Sequence, residues 1–371
     1  MLFRSGRNIK LVPRLQYSVQ YPWNSTDDNS VALDFFYKVR ADRLKLSLDV
    51  VGDISERVFI NGSVSRYLDR GGMLGDTKAL YLFKGEREVE YSGTTVYLQS
   101  FIRTAPVIVS AGIRYEHHNL YPDSLVPWVG LNKIIDRFYF KLLFGQSLRI
   151  PSMANISLGN DIRSEKATEM SFEAGCQITP GMTLSLNAFT TGIQDIIAYS
   201  ADQLSDEEYY ENAGRTGSWG FEIEYLLKGK RGNFSGSYSF YRARNNHLDI
   251  YAVPADPSML LGFPAHKLCL SAGWHLAPGL NVNSSLIYYS KRYGCSGVDD
   301  NDNPVIAAFP AEFLAGVTLN FREILRNLDL SLGIHDLFDS RYRYLQPYTG
   351  LHAPYPGTSR EIVFQLRYRV R

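Results

Sequence analysis

The sequence lacks long apolar runs, an excess of charge of one sign and a cysteine framework. No stretch of about 18 consecutive apolar residues occurs in the 371-residue chain, which excludes a transmembrane helix. Lys and Arg number 39 against 38 Asp and Glu, so no basic stripe indicates a nucleic-acid partner. The cysteines Cys176, Cys269 and Cys295 fall on opposite faces of predicted strands or in a loop, and we predict that all are free thiols.

Signals for export, catalysis and metal binding are also missing. The N-terminal residues contain no apolar segment typical of a signal peptide. There is no HExxH motif and no ordered Ser/His/Asp set, so we expect neither an enzyme nor a cofactor. The run Asp299–Asn303 offers oxygen ligands for calcium but lacks the Gly and distal Glu of an EF-hand, and we interpret it as a solvated loop. His117 and His118 point to opposite faces of a predicted strand, which disfavours a metal site.

Alternation of apolar and polar residues is what the chain has in abundance. In Arg360–Arg371 the residues Ile362, Phe364 and Leu366 share one face, while the other face is mostly charged or amide. The same period of two recurs in Gly217–Leu227, where Glu222 and Glu224 lie opposite a row of aromatic and aliphatic residues. Charges repeated on one face would be costly inside a narrow soluble barrel but remain hydrated in a wide, wet lumen.

Segments of roughly ten residues with this alternation are typical of a membrane-spanning antiparallel β-barrel. We predict an all-β fold with about sixteen strands in one domain covering residues 1–371. The predicted strands lie near 8–20, 30–40, 43–58, 91–103, 106–117, 125–132, 136–148, 166–178, 182–199, 208–227, 232–243, 265–276, 279–291, 311–322, 326–338 and 360–371.

Short and long connections alternate along the chain. The short connections are predicted at Arg40–Arg43, Arg103–Val107, Asn132–Asp136, Thr179–Met182, Lys228–Gly232, Ala277–Gly279 and Arg322–Leu325. The long segments include Asn61–Glu90, Asn245–Ala265, Arg292–Pro310 and Asp339–Ser359. In outer-membrane barrels the short turns face the periplasm and the long loops face outside. The rhythm therefore predicts an outer-membrane protein whose C-terminus lies in the periplasm.

Five motifs give the chain a family resemblance. They are Ala111–Glu116 (AGIRYE), Phe144–Ser152 (FGQSLRIPS), Asn212–Arg215 (NAGR) with Gly220–Glu224 (GFEIE), Ile334–Asp339 (IHDLFD) with Tyr342, and Pro356-Gly357 before the last strand. In this order they resemble the C-terminal part of the barrel of TonB-dependent outer-membrane receptors, particularly those of Bacteroidetes type, from about Arg43 onward. Gln146 stands where the family usually has Arg, and Asp336 where it usually has Asn.

The resemblance implies a barrel of about twenty-two strands with a plugged lumen, of which these would be the last sixteen. On this basis we expect an N-terminally truncated receptor without plug, signal peptide or first strands. The terminal aromatic residue that barrel-assembly machinery expects is replaced by Val370-Arg371. A fragment of this kind would be expected to be inactive in transport by itself.

Six residues are candidates for a ligand loop or substrate path. Glu222 and Glu224 could line a substrate path, although hydrogen bonding of the lumen wall to a plug is favoured. Arg149 ends a strand near the outer rim, where setting the structure is favoured over ligand contact. Tyr344, Tyr348 and His352 lie with Tyr342 and Tyr355 in the last long loop, where they suit a metal chelate or flat ligand, or an interfacial aromatic girdle.

The resemblance implies a receptor that takes up a ligand with energy from the inner membrane. Its ligand would be a ferric siderophore, haem, cobalamin, a glycan or a peptide. Its partners would be the TonB–ExbB–ExbD energy-coupling complex, contacted through the plug segment, and outer-membrane lipid, with a SusD-like surface lipoprotein as a further possibility. A passive porin-like channel is the alternative, because sixteen strands also suit a porin.

Overall fold

The structure is a computed structural model that describes residues 9–24, 38–74, 85–104, 106–159, 161–201, 208–350 and 352–370. Among these residues, no helix is long and apolar enough to cross a membrane. The predicted strand at 30–40 lies mostly outside the described residues. Strands dominate the rest of the described chain.

Twenty strands and one short α-helix make up the regular structure of the described residues. In chain order the strands are β1 (Ile9–Asn24), β2 (Lys38–Ser55), β3 (Val58–Met73), β4 (Glu88–Arg103), β5 (Ile108–His118), β6 (Ser124–Ile135), β7 (Phe138–Arg149), β8 (Glu165–Thr179), β9 (Met182–Ala201), β10 (Glu208–Gly229), β11 (Gly232–Ala243), β12 (His266–Ala277), β13 (Leu280–Tyr289), β14 (Arg292–Val298), β15 (Pro304–Phe309), β16 (Glu312–Leu325), β17 (Leu328–His335), β18 (Arg343–Tyr344), β19 (Tyr355–Pro356) and β20 (Glu361–Tyr368). The helix α1 is Met153–Leu158, and a 3-10 turn covers Asp249–Tyr251.

Sixteen of these strands form one sheet, which confirms the all-β fold class and the predicted strand number. Its order follows the chain from β1 to β13 and continues through β16, β17 and β20. Neighbouring strands such as β1 and β2, β10 and β11, and β17 and β20 pair antiparallel, as hairpin connections require. In the described part of the sheet β1 pairs only with β2, and β20 pairs only with β17.

The prediction was wrong near the N-terminus. The expected turn at Arg40–Arg43 lies inside β2, because Arg40 and Asp42 continue in register opposite β3. The expected long segment Asn61–Glu90 contains most of β3, whose small polar residues and glycines hide the alternation. The true short turn is at residues 56–57, between β2 and β3. Within two of the long segments the structure adds the hairpins β14–β15 and β18–β19.

Register gives the sheet one apolar and one polar face. Leu332 of β17 pairs with Leu319 and Phe364, whereas the preceding residue, Ser331, pairs with Asn320 and Gln365. Because side chains alternate along a strand, each apolar row is followed by a polar row on the other face. Large apolar side chains are widely exposed on the apolar face, including Ile362 at 75% and Leu15 at 70%. A face of this kind suits hydrocarbon rather than water.

The described chain divides into two compact units. The first unit is residues 1–133, 142–170 and 193–215, and the second is 134–141, 171–192 and 216–371. In the first unit, Met153 and Leu158 of α1 pack with Met73 and Val89 around fully buried Val39. In the second unit, the buried apolar cluster lies in the long connections rather than in the sheet.

Candidate ligand-binding loops and polar sheet face

Three long connections of the second unit pack together, and we call them the loop assembly. They cover residues 244–265, 290–311 and 336–360. The first connection contributes Val253, Met259 and fully buried Leu261, which pack with Tyr293 of β14 and Ile306 of β15. Apolar packing of this kind holds the connections in one arrangement despite their length.

Backbone contacts tie the first connection to each of the other two. The amide of Thr349 donates to the carbonyl of Ile250 over 2.9 Å, and the amide of Gly262 donates to the carbonyl of Tyr293 over 2.7 Å. Gly262 has a φ of +78°, and an added Cβ would lie 3.1 Å from the carbonyl oxygen of Gln346. Glycine is needed at this crossing because both the left-handed backbone and the close approach exclude a larger residue.

The small hairpin β18–β19 presents an aromatic pair in the third connection. The hydroxyls of Tyr342 and Tyr344 are hydrogen-bonded at 2.7 Å, and their rings meet edge to face with centroids 5.1 Å apart. This hydrogen bond is the main cause that lowers the pKa of Tyr342 and raises the pKa of Tyr344. Tyr344 is 57% exposed, so its ring is available to a ligand.

His352 lies in the same connection and is held by its neighbours. Its Nε2 contacts the side-chain amide of Gln346, and its Nδ1 lies 2.8 Å from the carbonyl oxygen of Ala353. The ring of Tyr355 is 4.9 Å from that of His352. Tyr348 is 45% exposed. The structure thus brings Tyr344, Tyr348 and His352 into one connection, although no group of metal-ligating side chains is formed among the described residues.

Glu222 and Glu224 lie on the polar face of β10, where they oppose Ser239 and Ser237 of β11. The hydroxyl of Ser239 donates to the carboxylate of Glu222 over 3.4 Å. Both glutamates are exposed. In the described residues no hydrogen bond or ring contact joins these glutamates to the aromatic connection, so the two sets of candidates are separate.

Hydroxyl, amide and charged side chains share the polar face of the second unit with these glutamates, and Lys267 pairs with Ser239 in the same row as Glu222. The hydroxyls of Ser235 and Ser271 are 2.9 Å apart, and the hydroxyl of Ser331 donates to Asn320 over 2.7 Å. Near the short turns, amide, hydroxyl and charged side chains line an open pocket of about 370 Å³, among them Asn233, Asn281, Asn283, Asn320, Ser331, Gln365 and Arg367. Such a face offers both donors and acceptors to a polar partner.

Arg149 belongs to the first unit, at the end of β7. Its guanidinium is 3.3 Å from Glu165, and the same carboxylate oxygen accepts from the amide of Ile197 over 3.2 Å. The side chain of Glu165 is 15% exposed and that of Arg149 is 58% exposed. Arg149 therefore joins the ends of neighbouring strands, while one side of its guanidinium remains open to solvent.

Asn212 of β10, from the NAGR motif, ties the connection between α1 and β8 to β9. Its Oδ1 accepts from the amide of Arg163 over 2.6 Å, and its Nδ2 donates to the carbonyls of Arg163 and Asp195 over 2.9 and 2.8 Å. The guanidinium of Arg163 then pairs with the carboxylate of Asp195 at 2.7 Å. This motif residue is thus a structural tether.

A buried carboxylate in the first unit was missed by sequence reasoning. Glu116 has a side chain only 1% exposed, and its Oε2 accepts from Arg114 over 2.8 Å and from Thr95 over 2.8 Å. Its Oε1 has no partner among the described residues. The spacing of Arg114 and Glu116 by two residues placed them on one face of a strand, but only the fold shows that the carboxylate is buried.

The geometry is that of a large antiparallel sheet with one apolar face, one polar face and long loops that pack together. A family model described as "TonB dependent receptor-like, beta-barrel" matches residues 4–337, and the chain belongs to this family. The resemblance inferred from the five motifs is thereby confirmed. The family comprises receptors rather than enzymes. A comparison with curated proteins gave no match.

Solved structures show the same fold at low sequence identity. The FrpB iron transporter from Neisseria meningitidis (F3-3 variant) is 14% identical with a TM-score of 0.70, and the match covers 97% of this chain and 60% of that one. The siderophore receptor PirA from Acinetobacter baumannii is 15% identical with a TM-score of 0.69, covering 98% and 60%. A ferric enterobactin receptor mutant from Pseudomonas aeruginosa is 14% identical with a TM-score of 0.70, also covering 98% and 60%. The chain thus spans about 60% of the length of these relatives.

Proposed function

We propose that this chain forms the ligand-recognising part of an outer-membrane receptor barrel for the TonB-energised uptake of a ferric chelate. The observation that carries the proposal is the family match over residues 4–337. The similar structures are those of an iron transporter, a siderophore receptor and a ferric enterobactin receptor, which supports iron chelates over the other ligand classes. The apolar face contacts lipid, the long connections lie outside and the short turns and C-terminus lie in the periplasm.

Ligand recognition is assigned to the loop assembly. Tyr344 and Tyr348 are exposed aromatic side chains on a connection that is fixed by backbone contacts. Aromatic rings on a fixed support bind a flat or aromatic chelate with little loss of conformational freedom. Arg149, Glu222 and Glu224 are proposed to line the path of the ligand or to contact a plug through the polar face. The energy-coupling partner is proposed to be the TonB complex.

Uptake of radioactive iron as ferric enterobactin tests the proposal. The chain is expressed together with the coding sequence that surrounds it in its gene. The host is a Gram-negative bacterium that lacks other receptors for this chelate. We expect uptake that stops when the inner-membrane energy source is disabled. Uptake that continues at the same rate without that energy source would contradict the proposal.

A passive channel is the second candidate, because the sheet has sixteen strands and porins are built with that number. Conductance of the purified chain in a planar bilayer distinguishes the two functions. A stable open pore without ligand supports the channel. A closed or unassembled protein that still binds ferric enterobactin supports the receptor.

Variants test the assigned loops. Replacing Tyr344 by Ala should weaken binding of ferric enterobactin about three- to tenfold, which is the range expected for one aromatic contact. The matched control is Tyr17→Ala, because Tyr17 is equally exposed at 59% but lies on the apolar face. An equal loss in both variants would contradict the assignment of the loops.

A further inference from the structure

An open pocket at the edge of the loop assembly combines aromatic and cationic side chains. It has a volume of about 1040 Å³ and lies between β15, the start of β16 and the segment after β17. Its apolar lining includes Phe309, Pro310, Phe313 and Phe338, and its cations are Arg341 and Arg343. We call these six residues the rim pocket. None of them is among the candidates identified from the sequence.

The floor of the rim pocket continues the apolar face of the sheet. Phe313 of β16 pairs in register with Tyr288 of β13, and their rings are 4.7 Å apart. The next row on this face pairs Leu286 with Ala315. Phe313 is 48% exposed and Phe338 is 63% exposed. An aromatic surface of this size that stays open needs an apolar partner, and on this face the partner is hydrocarbon.

The two arginines give the pocket a positive edge. Arg341 has a side chain that is 83% exposed and forms an ion pair with Asp339 at 3.6 Å. The guanidinium of Arg343 lies 5.8 Å from the centroid of the Phe309 ring. Glu312 also borders the pocket, but its carboxylate is paired with Arg292. The arginines therefore place exposed positive charge beside an apolar floor.

The arginines are separated from the aromatic pair assigned to the ligand. Arg343 and Tyr344 are consecutive residues of β18, and consecutive side chains of a strand point to opposite sides. Tyr342 and Tyr344 are on one side, because their hydroxyls are hydrogen-bonded. Arg343 therefore faces away from the tyrosine pair, toward Phe309.

We propose that the rim pocket binds a phosphorylated, acylated lipid of the outer leaflet, with acyl chains on the aromatic floor and a phosphate on Arg341 and Arg343. The proposal rests on the proposed function, because it requires the apolar face to lie in the outer membrane with the loop assembly outside. Lipids with this combination of charge and hydrocarbon fit both halves of the pocket. A soluble anion would use the arginines but leave the aromatic floor exposed.

Binding of lipid A, a bis-phosphorylated acylated disaccharide, to the purified chain in uncharged detergent tests the proposal. Each arginine near a membrane surface contributes about a fivefold gain in binding of an anionic lipid, so R341Q/R343Q should weaken lipid A binding about thirtyfold. The same disaccharide with its phosphates removed should bind the original protein and the double variant equally weakly. R341K/R343K should retain most of the binding, because the charge is kept.

Arg326→Gln is the matched control, because Arg326 is an exposed arginine in the short turn between β16 and β17, at the other end of these strands. Equal binding by R341Q/R343Q and the original protein, or an equal loss in the control, would overturn the proposal. Displacement of lipid A by an equimolar amount of inorganic phosphate would also overturn it, in favour of a free anion.

Ferric enterobactin binding is measured on the same samples. Loss of chelate binding with lipid binding intact would assign the arginines to the chelate, whereas absence of chelate binding from all samples would contradict the proposed function and leave the lipid result standing.

Discussion

The two units of this protein stabilise polar surfaces in different ways. The polar face of the first unit is charged, with Arg43 bound to both oxygens of Asp69 at 2.6 Å and Glu116 buried beneath Arg114. The polar face of the second unit carries hydroxyl and amide side chains together with ion pairs such as Lys141–Glu173 and Arg369–Asp329, and its long connections are held by an apolar cluster around Leu261. The first unit thus buries a carboxylate in its sheet, whereas the loop assembly of the second unit is held by apolar packing.

The largest expected effect breaks the second unit alone. Leu261→Ala removes a fully buried side chain and leaves a cavity, which should destabilise the loop assembly by about 2–5 kcal/mol. Hydrogen exchange of the amides of Gly262 and Thr349 measures this as faster local opening. Val305→Ala, at a position 41% exposed in β15, is the control and should change exchange little. Unchanged protection in Leu261→Ala would contradict the packing assigned to this residue.

A smaller loss of stability is expected from a change confined to the first unit. Glu116→Gln removes the buried negative charge that holds Arg114 and should cost about 1–3 kcal/mol, the range for disrupting hydrogen bonds to a charged group. Urea unfolding of the protein in lipid bilayers measures the loss. Glu224→Gln is the matched control, because the carboxylate of Glu224 is exposed on the polar face of the second unit. Equal losses in the two variants would show that the two faces do not differ.

Asn212→Ala sharpens the comparison, because it removes three hydrogen bonds that tie the connection before β8 to β9 in the first unit. We expect a loss of about 1–2 kcal/mol, less than for Leu261, because each net hydrogen bond contributes modestly. Hydrogen exchange of the Arg163 amide reports the loss. Asn301→Ala, on an exposed hairpin loop, should leave that amide unchanged.

The smallest expected effect is a pH dependence in the hairpin β14–β15. Amide donors from Asn303 and Asn301 lower the pKa of Asp299 below its ordinary value. A carboxylate with a lowered pKa in the folded state stabilises the turn above about pH 4, and this contribution is lost as the pH falls through the folded pKa. Exchange of the Asn303 amide should therefore quicken only in acid. Asp299→Asn should remove the pH dependence, whereas Asp300→Asn should leave it in place.

Sequence reasoning succeeded for strands in which apolar and polar residues alternate regularly. In β17, β20 and β10–β13 the rows of Leu, Phe and Trp repeat with a period of two, and the strands lie within a few residues of their predicted bounds. It failed where a strand extends beyond its regularly alternating residues. The segment Arg40–Arg43 is predicted as a short connection, but Asp42 accepts from Arg40 and Tyr17 within the extended sheet. Charge on the apolar face removes the periodic signal, so only strand pairing defines these ends.

The candidate site shows the same division between sequence and tertiary structure. The motifs identified Asn212 and the last connection, but the partners of Arg149 and Tyr344 could not be derived from the sequence. Arg149 pairs with Glu165 of the next strand, and the last connection is held in place by the contact of Thr349 with Ile250 of another connection. The burial of Glu116 and the rim pocket depend likewise on neighbouring strands and connections.

The sequence by itself determined the fold class and the two faces of the sheet, because these follow from a period of two that most strands carry locally. Only the tertiary structure decided where the strands near the N-terminus begin and end, which residues are buried, which connections pack together and which ion pairs form. Those properties depend on contacts between segments that are far apart along the chain, and no local pattern records them.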